Sequence, residues 1–383
     1  MGGAAEGGGG FTDNESTDED VGMKLLGSGK ETLDKRCIRV ESNIRRDHRC
    51  PPPELDTDGI ENVPSSFIES GIITLGPLIG ESKSSRVFSI IENDRTVIKY
   101  QSNCEDRYRS HPLTREYMIM QRISDLGISP RVYSLSDGVY LDPSNERIPS
   151  KANTGAYRNC KKPNPTLRYL IMERVGESLN DYVESNGPLS VNESIRIGCQ
   201  LIQHLQKLHS LDIVHGDIFQ RNVCFKDSGD LQNLVMIDFG RSIIVSRTSA
   251  VARSYISTFP LFTHWEMQGY RSSYRDDLFR VLQLMAYLMN GSKYMTDLFI
   301  LSSTPFEDDT DPPIMSFKER GFIFELNGLK PITEAIHDVN VRSTVKQGLR
   351  QVLDFTRSLK LDQLPDYDSI LATMQPLIDL EML

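Results

Sequence analysis

The six cysteines of this 383-residue chain (Cys37, Cys50, Cys104, Cys160, Cys199, Cys224) are scattered, and no two stand at CxxC spacing. That excludes a disulfide framework and a cysteine-based zinc site, and it fits a reducing compartment. Long apolar runs are also missing, and none approaches the ~20 residues that a membrane-spanning helix needs. The glycine-rich opening MGGAAEGGGG lacks the basic and apolar regions of a signal peptide, and Glu6 breaks the myristoylation pattern that Gly2 begins. Positive charge is in deficit: the formal net charge is −10, so nucleic-acid phosphates repel the chain as a whole. These absences lead us to expect a cytoplasmic and/or nuclear protein with no membrane association and no general nucleic-acid binding. From Arg241 to Trp265 there is no Asp or Glu, while Arg241, Arg247 and Arg253 stand among many Ser and Thr. A loop of that kind either favours acidic or phosphorylated partners or is simply solvated.

With 38% hydrophobic and 25% charged residues, the chain has material for one large domain or two lobes. Residues 1–65 read as a polar tail. They are glycine-rich, then acidic (Asp13 to Asp20), then basic (Lys35 to Arg49), and they close on Pro51-Pro52-Pro53. Such a composition buries too little apolar surface to offset its ordering entropy. From Phe67 onward short β-type runs appear: Ile72–Leu75, Arg86–Ile90 and Thr96–Lys99. A helix is expected over Leu113–Leu126, with Glu116, Met120 and Ile123 on one face. A polar insertion rich in Pro, Asn and Lys occupies about 141–168, followed by a strand at Tyr169–Met172 and a connector from Glu173 to Gly176. Ser190 and Glu193 have capping-box spacing ahead of a helix whose Ile197, Leu201, Leu205 and Leu208 share a face. Leu278–Met289 is apolar nearly all round, as a buried helix should be. Helical segments near Val345–Leu359 and Tyr367–Leu380 complete an α-rich second half.

The chemistry concentrates in Ile213 to Asn222, IVHGDIFQRN, and in the Asp238-Phe239-Gly240 that ends the next apolar run. An acid and an amide on one tight loop, with a second acid at a strand end, suit phosphoryl transfer. Asp217 can accept the proton of an attacking hydroxyl, while Asn222 and Asp238 hold magnesium against nucleotide phosphates. A surface hairpin of ordinary turn residues is the bland alternative. Lys99 ends the strand VIK, where an ammonium can meet phosphates, and Glu116 can either pair with it or face solvent. Gly80-Glu81-Ser82-Lys83-Ser84-Ser85 sits where a glycine-rich loop would cover phosphates, but only Gly80 is glycine. Ser82 and Ser85 occupy the other two positions, where their amides can still point at phosphate. Asp277, at the start of the apolar helix, can hydrogen-bond the backbone of the Asp217 loop.

In these residues the chain resembles a eukaryotic protein kinase domain over about 67–380, and within that class the casein kinase 1 and vaccinia-related kinase group. IMERVGESLNDY (Ile171 to Tyr182), FTHWEMQGYRSSYRDDLFRV (Phe262 to Val281) and LDFTRSLKLDQLPDYDSI (Leu353 to Ile370) carry the closer match. The resemblance implies an α+β, two-lobed fold with a small β-rich lobe (about 67–172) and a larger helical lobe (about 176–380). It also implies a monomeric serine/threonine kinase that uses ATP and Mg2+ on protein substrates, with a preference for acidic or phosphorylated ones. Lys99 would bind phosphate with Glu116 as its partner, Asp217 would be the base, and Asn222 and Asp238 the metal ligands. Met172 would guard the adenine pocket, with Val87, Ile98 and Cys224 against the ring and the backbone of Glu173 and Val175 at its edge. Two departures stand out. The second residue after the catalytic Asp is Phe219 rather than lysine, and Arg221 is the expected substitute. The glycine loop is thinned. These departures keep a pseudokinase, a binding module without transfer, open as an alternative. A small-molecule phosphotransferase is a third reading, since HGD followed by Asn also serves that chemistry.

Overall fold

A computed structural model describes residues 37–40, 72–82, 85–102, 112–141, 166–227, 229–245, 263–267, 270–291, 336–378 and 380. Most of the polar segment 1–65, most of the 141–168 insertion and the Ser/Thr-rich stretch after Val245 lie outside these residues.

The first half is a closed antiparallel barrel in the strand order β1-β2-β3-β4-β6-β5. Its strands are β1 (Cys37–Val40), β2 (Ile72–Glu81), β3 (Ser85–Ile90), β4 (Asn93–Ser102), β5 (Val132–Leu141) and β6 (Thr166–Glu173). β1 corrects the reading of residues 1–65 as tail throughout, because it bridges β2 and β5 and so closes the barrel. The two faces of the strands sort as the pleat demands. Ile73, Leu75, Phe88, Ile90, Ile98, Tyr100, Leu167, Tyr169 and Ile171 form one buried cluster, in which Phe88 and Tyr100 stack at 5.7 Å. Val97, Leu170 and Met172 face the other way and join the main core.

Helix α1 (Pro112–Arg122) lies against that second face and buries Leu113, Glu116, Tyr117, Ile119 and Met120. A 3-10 turn, Ser124–Leu126, and a left-handed Gly127 (φ 66°) then end the helical run and lead toward β5.

The second half is helical. α2 (Leu179–Asn186) and α3 (Val191–His209) each start with a complete capping box, Ser178 with Asp181 and Ser190 with Glu193. Such caps satisfy two orphan N–H groups at each start. Ile197, Leu201, Leu205 and Leu208 of α3 are fully buried, as their spacing requires. They pack toward α5 (Tyr274–Asn290), which buries 14 side chains including Leu278, Val281, Met285 and Leu288. α6 (Val339–Ser358) and α7 (Tyr367–Ile378) close the far side, with Gly348 of α6 giving room to Leu377 of α7. Between α3 and α5 run the short strands β7 (Ile213–Val214), β8 (Val223–Phe225), β9 (Leu234–Met236) and β10 (Ile243–Ile244). β8 pairs with β9 and β10 pairs with β7, so residues 215–222 and 237–242 emerge side by side. The short helix α4 (His264–Met267) lies between β10 and α5.

Candidate active site

Lys99 and Glu116 meet in the cleft between the halves. The Lys99 Nζ lies 2.9 Å and 2.8 Å from the two Glu116 carboxylate oxygens, and both side chains are buried. The same ammonium lies 3.0 Å from Asp238 Oδ1. Burial opposes charge on Lys99, but Asp238 and Glu116 more than offset it and hold its pKa above the usual lysine value. For Glu116, burial together with the nearby Asp238 lifts the carboxyl to about 7 against the pull of Lys99. Asp238 moves the other way: despite burial, Lys99 and the Gly240 N–H keep it below the usual carboxylate range. It adopts a left-handed backbone (φ 61°, ψ 67°), an uncommon conformation for a residue with a side chain, and it caps the turn Phe239–Arg241.

Asp217 and Asn222 share the adjacent loop. Asn222 Nδ2 donates to the carbonyl of Asp217 at 2.9 Å and to its Oδ2 at 3.1 Å. The loop is held from beneath by Asp277 of α5, which accepts from the N–H groups of His215 (2.7 Å) and Gly216 (2.9 Å). Asp277 also meets His209 Nε2 at 3.1 Å, and His209 Nδ1 hydrogen-bonds the hydroxyl of Tyr367. A polar chain therefore runs from α7, at the end of the LDQLPDY segment, to the backbone beside Asp217. His215 is wholly buried, with its Nδ1 accepting from the Asp217 N–H and its ring on Phe239 at 4.6 Å. Burial holds this imidazole below the usual histidine range, which keeps it neutral. Burial raises Asp217, and the Arg241 guanidinium, with Nη1 3.5 Å from Oδ1, works against that rise.

A hard cation prefers oxygen ligands. Among the described residues no group of three or more His, Cys, Asp or Glu is arranged to hold a metal. Asp238 and Asn222 offer one carboxylate and one amide oxygen, a set that suits magnesium completed by phosphate oxygens and water. Lys99 already sits on Asp238, at the spot where those phosphates would need a positive charge.

The adenine-site expectations divide. Val87, Lys99 and Leu170 are register partners across β3, β4 and β6, and so are Ser89, Val97 and Met172. Residues directly opposite share a face, so Val87, Val97 and Met172 line the cleft side with Lys99. Ile98 does not. The two-residue period turns it into the barrel, where it is 0% exposed. The alternation from Lys99 assigns the cleft position to Val97, which the sequence reading missed. Cys224 is buried on β8, and burial pushes its thiol up to about 12, which argues against a nucleophile there. The Glu173 amide donates to Arg131 O at 2.8 Å, which leaves only its carbonyl for a ring edge. Among the described residues, neither the amide nor the carbonyl of Val175 takes a hydrogen-bond partner. Gly80 pairs with Val87 in the β2–β3 hairpin, while the Ser82 amide donates to Ser85 O at 2.8 Å. Lys83 and Ser84 lie outside the described residues.

Arg221 also departs from expectation. The backbone at Gln220 is tied to α2 by its carbonyl accepting from the Asn180 N–H, and the loop turns back through Asn222 N–H to Phe219 O. The Arg221 charge is felt at Tyr287 of α5, along with those of Glu184 and Asp181, and among the described residues Arg221 forms no ion pair with Asp217. Among the described residues the cation in contact with Asp217 is Arg241.

The segment before α5 lacks an Ala-Pro-Glu, yet Glu266 of α4 still forms a buried ion pair with Arg280 at 2.5 Å. Arg275 lies 4.3 Å over the Trp265 ring and donates to Leu359 O, and Arg271 pairs with Asp362. Two of the three distinctive stretches thus pack on each other.

The comparisons with known proteins agree with this geometry. The protein kinase domain family matches residues 73–265. A probable casein kinase I homolog of Encephalitozoon cuniculi is 30% identical over 168 residues, covering 40% of this chain and 52% of that protein. The serine/threonine-protein kinase VRK1 of Caenorhabditis briggsae is 31% identical over 78 residues, covering 20% of this chain and 14% of that protein. The probable serine/threonine-protein kinase PknB of Lactococcus lactis is 24% identical over 182 residues, covering 47% of this chain and 27% of that protein. These matches span about half or less of each relative's own length. The structure of vaccinia related kinase 3 shares the fold, with a TM-score of 0.53 at 15% identity, covering 81% of this chain and 88% of that one. The chain belongs to the protein kinase domain family, with casein kinase I and the vaccinia-related kinases among its relatives.

Proposed function

We propose that this chain is a serine/threonine protein kinase that moves the γ-phosphoryl group of magnesium-bound ATP to protein hydroxyls. The observation that carries the reading is the buried Lys99–Glu116 pair, with the half-exposed Asp238 on the same ammonium, beside the Asp217–Asn222 loop. Burying the Lys99–Glu116 ion pair is costly, and breaking such a pair by removing one partner typically costs about 3–5 kcal/mol. Packing alone gives no reason to hold two acids on one ammonium at a cleft. Phosphate binding does.

The division of labour follows from the chemistry of each group. Lys99 fixes the phosphates, and Glu116 fixes Lys99. Asn222 and Asp238 hold the metal, which draws charge from the phosphate oxygens when bound. Asp217 orients the acceptor hydroxyl and takes its proton. Val87, Val97, Met172 and Cys224 make the apolar adenine slot, with Val175 at its edge. The acid-free run from Arg241 to Trp265 supports a preference for acidic or phosphorylated acceptors. Phe219 and the Ser82 amide, already bonded to Ser85 O, favour a second reading, a pseudokinase that binds nucleotide without transfer.

An acceptor panel tests the proposal. With labelled Mg-ATP, label should appear on an acidic protein such as casein, more weakly on a basic protein, and not on sugars or aminoglycosides. Label on the small molecules alone would make the chain a small-molecule phosphotransferase. Nucleotide binding with no labelled acceptor would favour the pseudokinase.

A further inference from the structure

A phosphoryl group in flight between two oxygens spreads negative charge over its equatorial oxygens, and a nearby cation stabilises it. Phe219 of the catalytic loop is apolar, and among the described residues Arg221 forms no ion pair with Asp217, whereas Arg241 does. We infer that Arg241, immediately after Asp238-Phe239-Gly240, is the catalytic cation that stands in for the missing loop lysine. This assignment rests on the kinase reading above and adds a residue that motif spacing does not identify.

Four features put it there. The Arg241 guanidinium already touches Asp217, Nη1 to Oδ1 at 3.5 Å. Its backbone is pinned on the far side: Ser242 N–H donates to Phe239 O, Ser242 Oγ donates to His215 O, and Ile243 pairs with Val214. The strand that follows Arg241 is thus stitched to the strand that delivers Asp217. Gly216 supplies the third feature. Its φ is +76°, and a Cβ on it would stand 3.1 Å from the Arg241 carbonyl oxygen. A glycine just before Asp217 is what lets the Arg241 backbone come this close. Finally, the Arg241 side chain is 41% exposed while it contacts Asp217, so it is reachable from solvent. A guanidinium has five donors in a planar fork and can hold Asp217 and a phosphoryl oxygen at once.

In the step itself the acceptor oxygen bonds to the γ-phosphorus while the bond from that phosphorus to its bridging oxygen breaks. The bond's electron pair leaves with ADP, and the hydroxyl proton passes to Asp217. Arg241 donates hydrogen bonds to the equatorial oxygens throughout and is unchanged at the end.

The test compares wild type, Arg241→Ala, Arg241→Lys and the double variant Arg241→Ala/Phe219→Lys, each matched for melting temperature. Arg241→Ala should lower kcat by roughly 10²–10³-fold, the usual cost of losing one transition-state donor, with KM for ATP nearly unchanged. Arg241→Lys should retain part of the rate, and Phe219→Lys should restore much of what Arg241→Ala loses. A readout free of turnover is the affinity for ADP, magnesium and aluminium fluoride, a planar phosphoryl mimic. Wild type should gain affinity over ADP alone, Arg241→Ala should lose that gain, and Phe219→Lys should return it. Unchanged kcat and mimic affinity in Arg241→Ala would overturn the assignment, as would a loss that Phe219→Lys leaves in place. A wild-type chain that neither transfers phosphoryl nor responds to aluminium fluoride would instead overturn the kinase reading itself.

Discussion

The two-residue period of β4 sends Lys99 and Val97 to the cleft and Ile98 into the barrel, although Val97 and Ile98 are neighbours of nearly identical chemistry. Their substitutions should therefore fail in different ways. Val97→Phe should block the adenine slot and weaken ATP binding at least tenfold. Ile98→Ala should leave affinity nearly intact but cost about 2–5 kcal/mol, as a cavity in a closed core does. Titration with nucleotide beside thermal unfolding separates the two, and equal losses of affinity in both variants would contradict the placement. At this scale much was legible in the sequence. Lys99, Glu116, Asp217, Asn222 and Asp238 are polar residues ending or following apolar runs, and their chemistry survives without coordinates. The Asp277 anchor was legible for the same reason. Arg221 was the expected substitute because its sequence distance from Asp217 favours it; the contact of Arg241 with Asp217 depends on the pairing of β10 with β7, which spacing does not show.

Among the elements, the helices followed from local signals. Ser190 with Glu193 started α3 where the capping box said it would, and the near-continuous apolar run Leu278–Met289 fell within α5. Such features depend on residues three or four apart. β1 depends on none. Its four residues sit in a polar, charged segment, and their partners on β2 and β5 lie more than 30 and about 100 residues away. No composition window can show a pairing whose reason is the open edges of a sheet made later in the chain. The apolar cluster of Phe88, Ile98, Tyr100 and Tyr169 was the available hint, since a kinase-like sheet with so much bulk on its second face needs closing. Removing residues 1–45 should open the edges of β2 and β5, lower the melting temperature by several degrees and promote aggregation through the freed strands. Removing residues 1–30, which spares β1, is the control. Identical melting in the two truncations would show that β1 contributes nothing to the barrel.

Across the whole molecule, the chemistry sits where the barrel and the helical half meet, and each half brings what the other lacks. The barrel supplies Lys99 and the apolar walls Val87, Val97 and Met172; the helical half supplies Asp217, Asn222 and Asp238. Their common reference point is Asp277, buried at the start of α5 and linked through His209 to Tyr367 near the other end of the described chain. The fold class was readable because the sequence changes character once, from short β-type runs to long amphipathic and apolar helices. The cleft between the halves was readable only through the paired chemistry on its two sides. The account turns on one claim, that the residues gathered there move a phosphoryl group. The most direct measurement is transfer of labelled γ-phosphate from Mg-ATP to casein by wild type and by Asp217→Asn, with both proteins shown to be folded and to bind nucleotide alike. The account predicts label with wild type and a fall of at least 10²-fold with Asp217→Asn, in line with the loss of a general base. Equal labelling by the two proteins, or none by wild type at saturating nucleotide, would contradict it.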